Sequence, residues 1–203
     1  GYWAANYLEL PGVRATPRPP ALNERKLSVA EALARVPTLM PARQPSSGST
    51  TRALQQLDTL DGFPAVGDLV DTSLEPSRFV SDLCATFARD LVRNAGRHPI
   101  SFVHAVTGPS ALRLLLPHVS DATARSAMRP AWVACAAIHA VFSDPARSEP
   151  VLGVSLDAAT LTQRAVDNGD PHAIKLTEAA LREHAVASDP WLLAAAADVC
   201  GRL

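Results

Sequence analysis

The sequence predicts an all-α fold, and three observations support that prediction. From residue 77 onward, apolar residues recur at the spacing i, i+3, i+4, i+7 that places them on one face of a helix. Residues that often begin helices precede these segments, with Ser155, Asp170 and Asp189 as N-caps and Pro171 and Pro190 at the first helical position. No stretch alternates apolar and polar residues for long enough to predict a strand, and no internal repeat is visible. We therefore expect an irregular multi-helix bundle.

Glycine and proline set the expected helix boundaries. The first long helix ends at Gly96, a short apolar helix is closed by Gly108 and Pro109, and a later long helix is interrupted at Pro130. Residues 132–141 are apolar nearly all round the helix, so we expect them at the centre of the fold. In chain order, the expected helices span residues 77–95, 100–107, 110–116, 122–142, 155–168, 170–187 and 189–200.

The N-terminal part of the chain is rich in proline, serine and glycine, so residues 11–51 are expected to form a loop-rich segment. Within it, Ser28 followed by Glu31 is the sequence of a capping box, which predicts a short helix. The chain begins without methionine, in what reads as the middle of a helix over residues 1–8. We therefore expect residues 1–203 to be a single all-helical domain that forms the C-terminal portion of a larger domain, with the N-terminal half of the same protein missing.

Composition and charge exclude several classes of function. The chain has 203 residues, 47% of them hydrophobic, which is enough for one buried core. A formal net charge of -1 gives no broad attraction to phosphate backbones or anionic lipids, so neither nucleic acid nor a membrane is an expected partner. No apolar run reaches the roughly 18 to 20 residues needed to cross a bilayer, and we expect a cytoplasmic protein. The cysteines Cys84, Cys135 and Cys200 lack metal-ligand spacing and are expected to be reduced core residues.

Lys175 is the most informative single residue. Of the 19 basic residues only Lys26 and Lys175 are lysines, and an amine can lose its proton where a guanidinium does not. On a helical wheel Lys175 lies on the polar side with His172, Ala179 and Arg182, which is typical of a solvated face. If that side faces a cavity instead, desolvation favours the neutral amine, which can act as a base or combine with carbon dioxide. The resulting carbamate is an oxygen ligand suited to ferrous iron.

The six histidines are the other candidates for chemistry. His98 and His184 have charged or loop neighbours and are expected at the surface, and His118 follows a helix end, where it can cap carbonyl groups. His139 shares a face with Trp132 and is expected to be buried. His104 lies in an apolar helix with Thr107 one turn on, and Thr107 can either fix the imidazole tautomer or bond its own backbone.

Four strings in the sequence resemble the C-terminal half of the questin oxidase-like proteins. They are GYWAA at residues 1–5, HAVTGPSALR at 104–113, LLPH at 115–118 and HAIKLTEA at 172–179, in the order of the family. The resemblance implies an all-helical protein that acts on polyketide aromatics such as anthraquinones, inserting oxygen or opening a ring. It also implies that His104 and Lys175 are metal-ligand positions, with the lysine carboxylated. His172, one turn before Lys175, is expected to bind the metal or to orient its ligands.

The function implied by this resemblance is a non-haem iron-dependent oxygenase acting on an aromatic polyketide. Its cofactor is Fe(II), its substrates are the aromatic molecule and dioxygen, and NADPH can serve as an external reductant. His104 and Lys175 are the expected catalytic residues, and both bind the metal together with His172. Thr107, Trp132 and His139 are expected to line the substrate pocket. Without the missing N-terminal half, the chain alone is expected to be inactive.

Three alternatives stay open at this stage. The same family includes an NADPH-dependent Baeyer-Villiger-type oxidation, although the sequence has no dinucleotide-binding Gly-Xaa-Gly-Xaa-Xaa-Gly turn. The chain can also be a non-catalytic helical scaffold, or a metal-free hydrolase or lyase with His104 as general base. Proximity of the His104 imidazole to the Lys175 amine discriminates among them, because shared metal coordination requires the two groups to lie within about 7 Å.

Overall fold

The computed structural model describes residues 26–44, 50–94, 96–153 and 156–203, excluding the side chain of Thr51, and the fold over these ranges is all-α. This confirms the predicted fold class. The expected helix over residues 1–8 lies outside the described residues. The α-helices are α1 Val29–Leu33, α2 Thr50–Leu54, α3 Pro76–Asn94, α4 Pro99–Leu115, α5 Asp121–Phe142, α6 Ala158–Asn168, α7 Pro171–Ala187 and α8 Pro190–Cys200. Short 3-10 helices span Pro41–Arg43, Gln55–Thr59, Phe63–Asp68 and Leu116–His118.

Helix α3 lies at the centre of the bundle. It packs along α4, and α5, α7 and α8 also contact it. Its phenylalanine and leucine residues at positions 79, 83, 87 and 91 recur every fourth residue and are fully buried. That spacing places all four on one helix face. Burial of this apolar face holds α3 against the neighbouring helices.

The second half of α5 lies in the core, as its composition predicts. Trp132, Val133, Ile138 and Val141 are buried. The indole of Trp132 donates from Nε1 to the carbonyl oxygen of Val66 at 2.8 Å, which satisfies its only polar group. This bond ties α5 to the 3-10 helix over Phe63–Asp68.

Helix α4 differs from the prediction, because it runs without a break through Gly108 and Pro109. Proline has no N–H group to donate to the carbonyl oxygen of Ala105, four residues earlier. The thiol of Cys135 on α5 lies 3.3 Å from that oxygen and supplies a substitute donor. The predicted division into helices 100–107 and 110–116 is therefore wrong, since tertiary contacts compensate for the proline. The predicted interruption of α5 at Pro130 is also wrong, because α5 is continuous there.

The N-caps follow the sequence with one exception. Asp170 and Asp189 cap α7 and α8, with proline at the following position, as predicted. Helix α6 is capped by Asp157, whose carboxylate accepts from the backbone N–H of Thr160 at 2.8 Å. The predicted cap, Ser155, lies outside the described residues and before the cap that forms.

The described part of the loop-rich segment is anchored to the bundle. Ser28 and Glu31 form the predicted capping box of α1. Leu27 pairs with Val70 in a single parallel bridge, the only β pairing in the ranges that the structure describes. The backbone N–H of Leu39 donates to the carbonyl oxygen of Ala140 on α5 at 2.7 Å. The expected proline-rich loop over residues 11–23 lies outside the described residues.

The structure also bears on the predictions for the cysteines and for a membrane span. Cys84 and Cys135 are buried and Cys200 is half-buried, and all three are free thiols. Within the described ranges, none of the helices has the length and apolar character that a bilayer span requires.

Candidate functional site

Packing of α7 on α4 brings His104 and His172 together. Their ring centroids lie 5.6 Å apart with the planes nearly perpendicular, at 85°. His104 is half-buried between the fully buried residues Val103 and Ala105. The packing of α4 therefore sets the position of its ring relative to His172. Lys175 follows His172 by one turn of α7, and its charge acts on His104. The structure therefore brings two of the three residues expected to bind the metal, His104 and His172, into contact.

Burial, with smaller contributions from the charges of His172 and Lys175, lowers the pKa of His104 from 6.5 to about 4. Desolvation disfavours the imidazolium form, and nearby positive charge adds to that effect. His104 is thus neutral at pH 7. A neutral imidazole offers the nitrogen lone pair that metal coordination or general-base chemistry requires.

Asp170 holds His172 in place. Its Oδ1 accepts the backbone N–H of His172 at 2.7 Å, as the N-cap of α7, and lies 3.0 Å from the Nδ1 atom of the same residue. The backbone bond from His172 lowers the pKa of Asp170, so this carboxylate is ionised near neutral pH. A carboxylate on one ring nitrogen of a histidine orients the other toward a metal ion. The sequence predicts Asp170 only as an N-cap, although its position two residues before His172 is a usable signal for this contact.

Lys175 lies at the surface, as the solvated-face interpretation indicates, and not in an enclosed cavity. The helical wheel misplaced two of its neighbours. Ile174, expected on the apolar side, is 45% exposed, whereas Ala179, expected on the polar side, is buried. The burial of Ala179 follows because α7 packs against α4, α6 and α8, which cover more of its surface than a single stripe.

The donor set suits a divalent metal in part. In the described ranges, no group of three or more histidine, cysteine, aspartate or glutamate residues is placed to hold a metal ion. His104 and His172 supply two imidazoles, which iron and other first-row metals accept. Lys175 can add an oxygen ligand only as a carbamate. With that modification the three residues resemble a set of two histidines and one carboxylate, the pattern common to non-haem iron oxygenases.

The three residues expected to line the substrate pocket lie elsewhere or are already bonded. Thr107 donates from Oγ1 to the carbonyl oxygen of Val103 at 3.0 Å, so it bonds its own backbone. Trp132 is fully buried, and its indole N–H is bonded to the carbonyl oxygen of Val66. His139 is nearly buried, as expected, and lines a different cavity, beside Asp90. His139 thus lines a cavity that His104 and His172 do not line, whereas Thr107 lies one turn from His104 on α4.

The remaining histidines differ somewhat from their expected roles. His98 is half-buried, and its ring lies 4.8 Å from that of Phe142. His184 is half-buried as well, with Nδ1 2.9 Å from the carbonyl oxygen of Asp189. His118 is exposed at the end of its 3-10 helix. His98 and His184 were expected at the surface because of their polar neighbours, but packing at helix ends covers part of each.

A buried ion pair that the sequence did not predict joins α4 to α7. Glu183 on α7 is completely buried, and its carboxylate accepts from Arg113 Nε at 2.8 and 2.9 Å and from Ser110 Oγ at 2.9 Å. Arg113 also bonds the hydroxyl groups of Ser77 and Ser81 on α3. A glutamate within the apolar positions of α7 was the available signal. The group links α3, α4 and α7.

Comparisons of the chain with protein-family models, with curated proteins and with solved structures find no match.

Proposed function

We propose that this chain is part of a non-haem iron-dependent oxygenase that acts on an aromatic polyketide or anthraquinone-like substrate. One observation carries the proposal. Two imidazoles from separate helices meet with ring centroids 5.6 Å apart, and Lys175 lies one turn from one of them. These are the residues that the resemblance to questin oxidase-like proteins marks as metal ligands or their neighbours.

His104, His172 and Lys175 would hold the iron, the first two through imidazole nitrogens and the third through a carbamate oxygen. The metal, when bound, supplies the activation of dioxygen toward an electron-rich ring. His104 is neutral and needs no deprotonation before it binds. Asp170 orients His172 and favours the proton on Nδ1, which directs Nε2 toward a ligand. NADPH enters this scheme only as an external reductant.

Iron analysis of the full-length protein tests the proposal, with single substitutions of the three residues. We expect about one equivalent of iron in the wild type and its loss in His104→Gln and His172→Gln, because each substitution removes an imidazole. Lys175→Arg keeps the charge but cannot form a carbamate, so it is expected to lower iron content too. Lys26→Arg is the matched control, since Lys26 is exposed and bonds the carbonyl oxygen of Asp68.

Two further readouts separate the alternatives. Labelled bicarbonate should give a carbamate signal by NMR in the wild type and in Lys26→Arg, but not in Lys175→Arg. Full iron content in Lys175→Arg would remove Lys175 from the site.

A wild-type protein that binds no metal, with both histidines intact, would contradict the proposal and favour the helical scaffold. NADPH consumption with substrate in iron-free protein would favour the Baeyer-Villiger-type oxidase.

A further inference from the structure

A cavity of about 510 Å³ opens between α1, α3, the end of α5 and the segment that follows α5. Its volume lies within the range of small-molecule sites, and most of its lining residues are polar or charged. The wall from α3 carries two arginines, Arg89 and Arg93, one helical turn apart. His104, His172 and Lys175 do not line the cavity, so its chemistry is separate from that of the proposed iron site.

Both arginines contact the carboxylate of Glu149. Nη2 of Arg89 lies 2.8 Å from Oε2 of Glu149, and Nη1 of Arg93 lies 3.3 Å from Oε1. Among the residues that the structure describes, Glu149 is the only acidic side chain that pairs with either arginine. Guanidinium groups present their N–H donors in a geometry that matches the oxygens of a carboxylate. The two arginines therefore form a carboxylate site, and Glu149 is its present occupant.

Contacts other than Glu149 hold the two guanidinium groups in place. Nε and Nη2 of Arg93 donate to the carbonyl oxygen of Arg147 at 3.1 and 2.7 Å. The guanidinium carbon of Arg89 lies 5.5 Å from the centre of the Trp191 ring, which is within the range of a cation–π contact. Neither contact involves the side chain of Glu149. Both arginines are therefore pre-organised for a carboxylate, whichever molecule supplies it.

The carboxylate of Glu149 is the part of this contact that a ligand can replace. Its side chain is 61% exposed and belongs to the irregular segment after α5, outside any helix. Exposed ion pairs contribute little to stability, because water solvates both partners once they separate. Rotation of Glu149 into solvent therefore costs little, and it leaves two positive charges facing the cavity.

The remaining lining residues indicate the rest of the ligand. Thr38 and Thr86 are half-buried and line the cavity with groups that can donate and accept hydrogen bonds. The two other acidic lining residues already have partners, since Asp90 contacts His139 at 2.8 Å and Asp144 accepts a backbone N–H at 3.0 Å. A lining of this kind favours a polar molecule that carries hydroxyl groups beside its carboxylate.

We propose that this cavity binds the anion of a small hydroxylated carboxylic acid. The carboxylate of the ligand takes the place of Glu149 between Arg89 and Arg93, and its hydroxyl groups bond the side chains of Thr38 and Thr86. Glu149 is an internal competitor that the ligand displaces. Binding exchanges one set of ion pairs for another, so no covalent bond forms or breaks.

Gluconate is a suitable probe, because it is a small carboxylate with several hydroxyl groups, and gluconamide is its uncharged counterpart. Isothermal titration calorimetry of metal-free full-length protein at low salt measures the dissociation constants. We expect saturable binding of gluconate and none of gluconamide at the same concentrations. Glu149→Gln is expected to bind gluconate about fivefold more tightly, since the competing charge is gone. Arg89→Gln is expected to bind it about tenfold more weakly, through the loss of a charged hydrogen bond.

Two residues from exposed ion pairs outside the cavity provide the matched controls, Glu178→Gln and Arg125→Gln. Both variants are expected to bind gluconate as the wild type does, and circular dichroism checks that every variant is folded. Absence of saturable gluconate binding to the wild type would overturn the proposal. So would equal affinities for gluconate and gluconamide, or equal gluconate affinities in Glu149→Gln and Glu178→Gln. An affinity of Arg89→Gln equal to that of Arg125→Gln would overturn it as well.

Discussion

For two charged residues on α7, Lys175 and Glu183, the helical pattern of the sequence predicts the position of the first but not that of the second. Lys175 lies at the surface, where the wheel puts it, because i, i+3 and i+4 neighbours on a helix share a face. Glu183 lies in the core because Arg113 reaches it from α4. Such a partner depends on how two helices pack, which the local pattern does not contain.

Removing the charge of Glu183 is expected to destabilise the protein strongly. Glu183→Gln keeps the shape of the side chain but leaves Arg113, which is 12% exposed, without its ionic partner. Breaking a buried pair from one side typically costs about 3 kcal/mol, since the remaining charge stays desolvated. Urea unfolding monitored by circular dichroism measures the free energy of unfolding.

Glu178→Gln is the control for this prediction on the same helix. Glu178 pairs with Arg182, but its side chain is 60% exposed. Exposed pairs contribute about 0.5 kcal/mol, so only a small change is expected. Equal losses of stability in the two variants would show that burial does not set the strength of these pairs.

In the candidate site as well, contacts within one helix could be predicted from the sequence and contacts between helices could not. Asp170 and His172 are two residues apart, so their contact follows from the N-cap geometry of α7 and could be predicted locally. The approach of His104 to His172 joins α4 to α7. The sequence indicated that contact only through its resemblance to a family, because no local rule sets the distance between side chains on different helices. The Asp90 and His139 pair joins α3 to α5 and carried no such signal.

At the scale of elements, helix existence was predictable and helix continuity was not. The caps and apolar spacing identify the helices from residue 77 onward, and Asp170 and Asp189 begin α7 and α8 as expected. Proline predicts a break when a helix is considered alone. In α4 a neighbouring helix supplies the lost donor, and α5 continues through Pro130 with Met128 and Trp132 buried on either side of it.

The substitute donor in α4 gives a prediction about coupling between two residues. Cys135→Ala removes the thiol from the carbonyl oxygen of Ala105 and is expected to cost about 1 to 2 kcal/mol. In a Pro109→Ala background the restored backbone N–H can bond that oxygen, so the same substitution is expected to cost less. A double-mutant cycle of unfolding free energies measures the difference. Additive effects would mean that Cys135 stabilises the core by packing alone.

At the scale of the whole molecule, stability is expected to fall as the solution becomes acidic. The pKa of His104 is 6.5 in its ordinary state and about 4 in the fold. Between these values the unfolded chain binds a proton that the folded protein does not. The contribution of His104 is therefore fully present above pH 6.5 and is lost as the pH falls through about 4, with a size of up to about 3 kcal/mol.

Unfolding free energies of metal-free protein, measured from pH 7 to pH 4, test this expectation. The decline should be shallower in His104→Gln, which has no imidazole to titrate at that position. His118→Gln is the control, because His118 is exposed. Parallel profiles for the wild type and His104→Gln would show that burial of His104 does not contribute to the acid sensitivity.

The contact of α8 with α3 has a consequence for synthesis of the protein. Translation produces α3 well before Pro190–Cys200, so the surface of α3 that α8 covers emerges from the ribosome without its final partner. Apolar surface exposed in this way is where chaperones bind and where aggregation begins. A nascent chain stalled before residue 190 should therefore be held by chaperones, and its release should coincide with the arrival of the last helix.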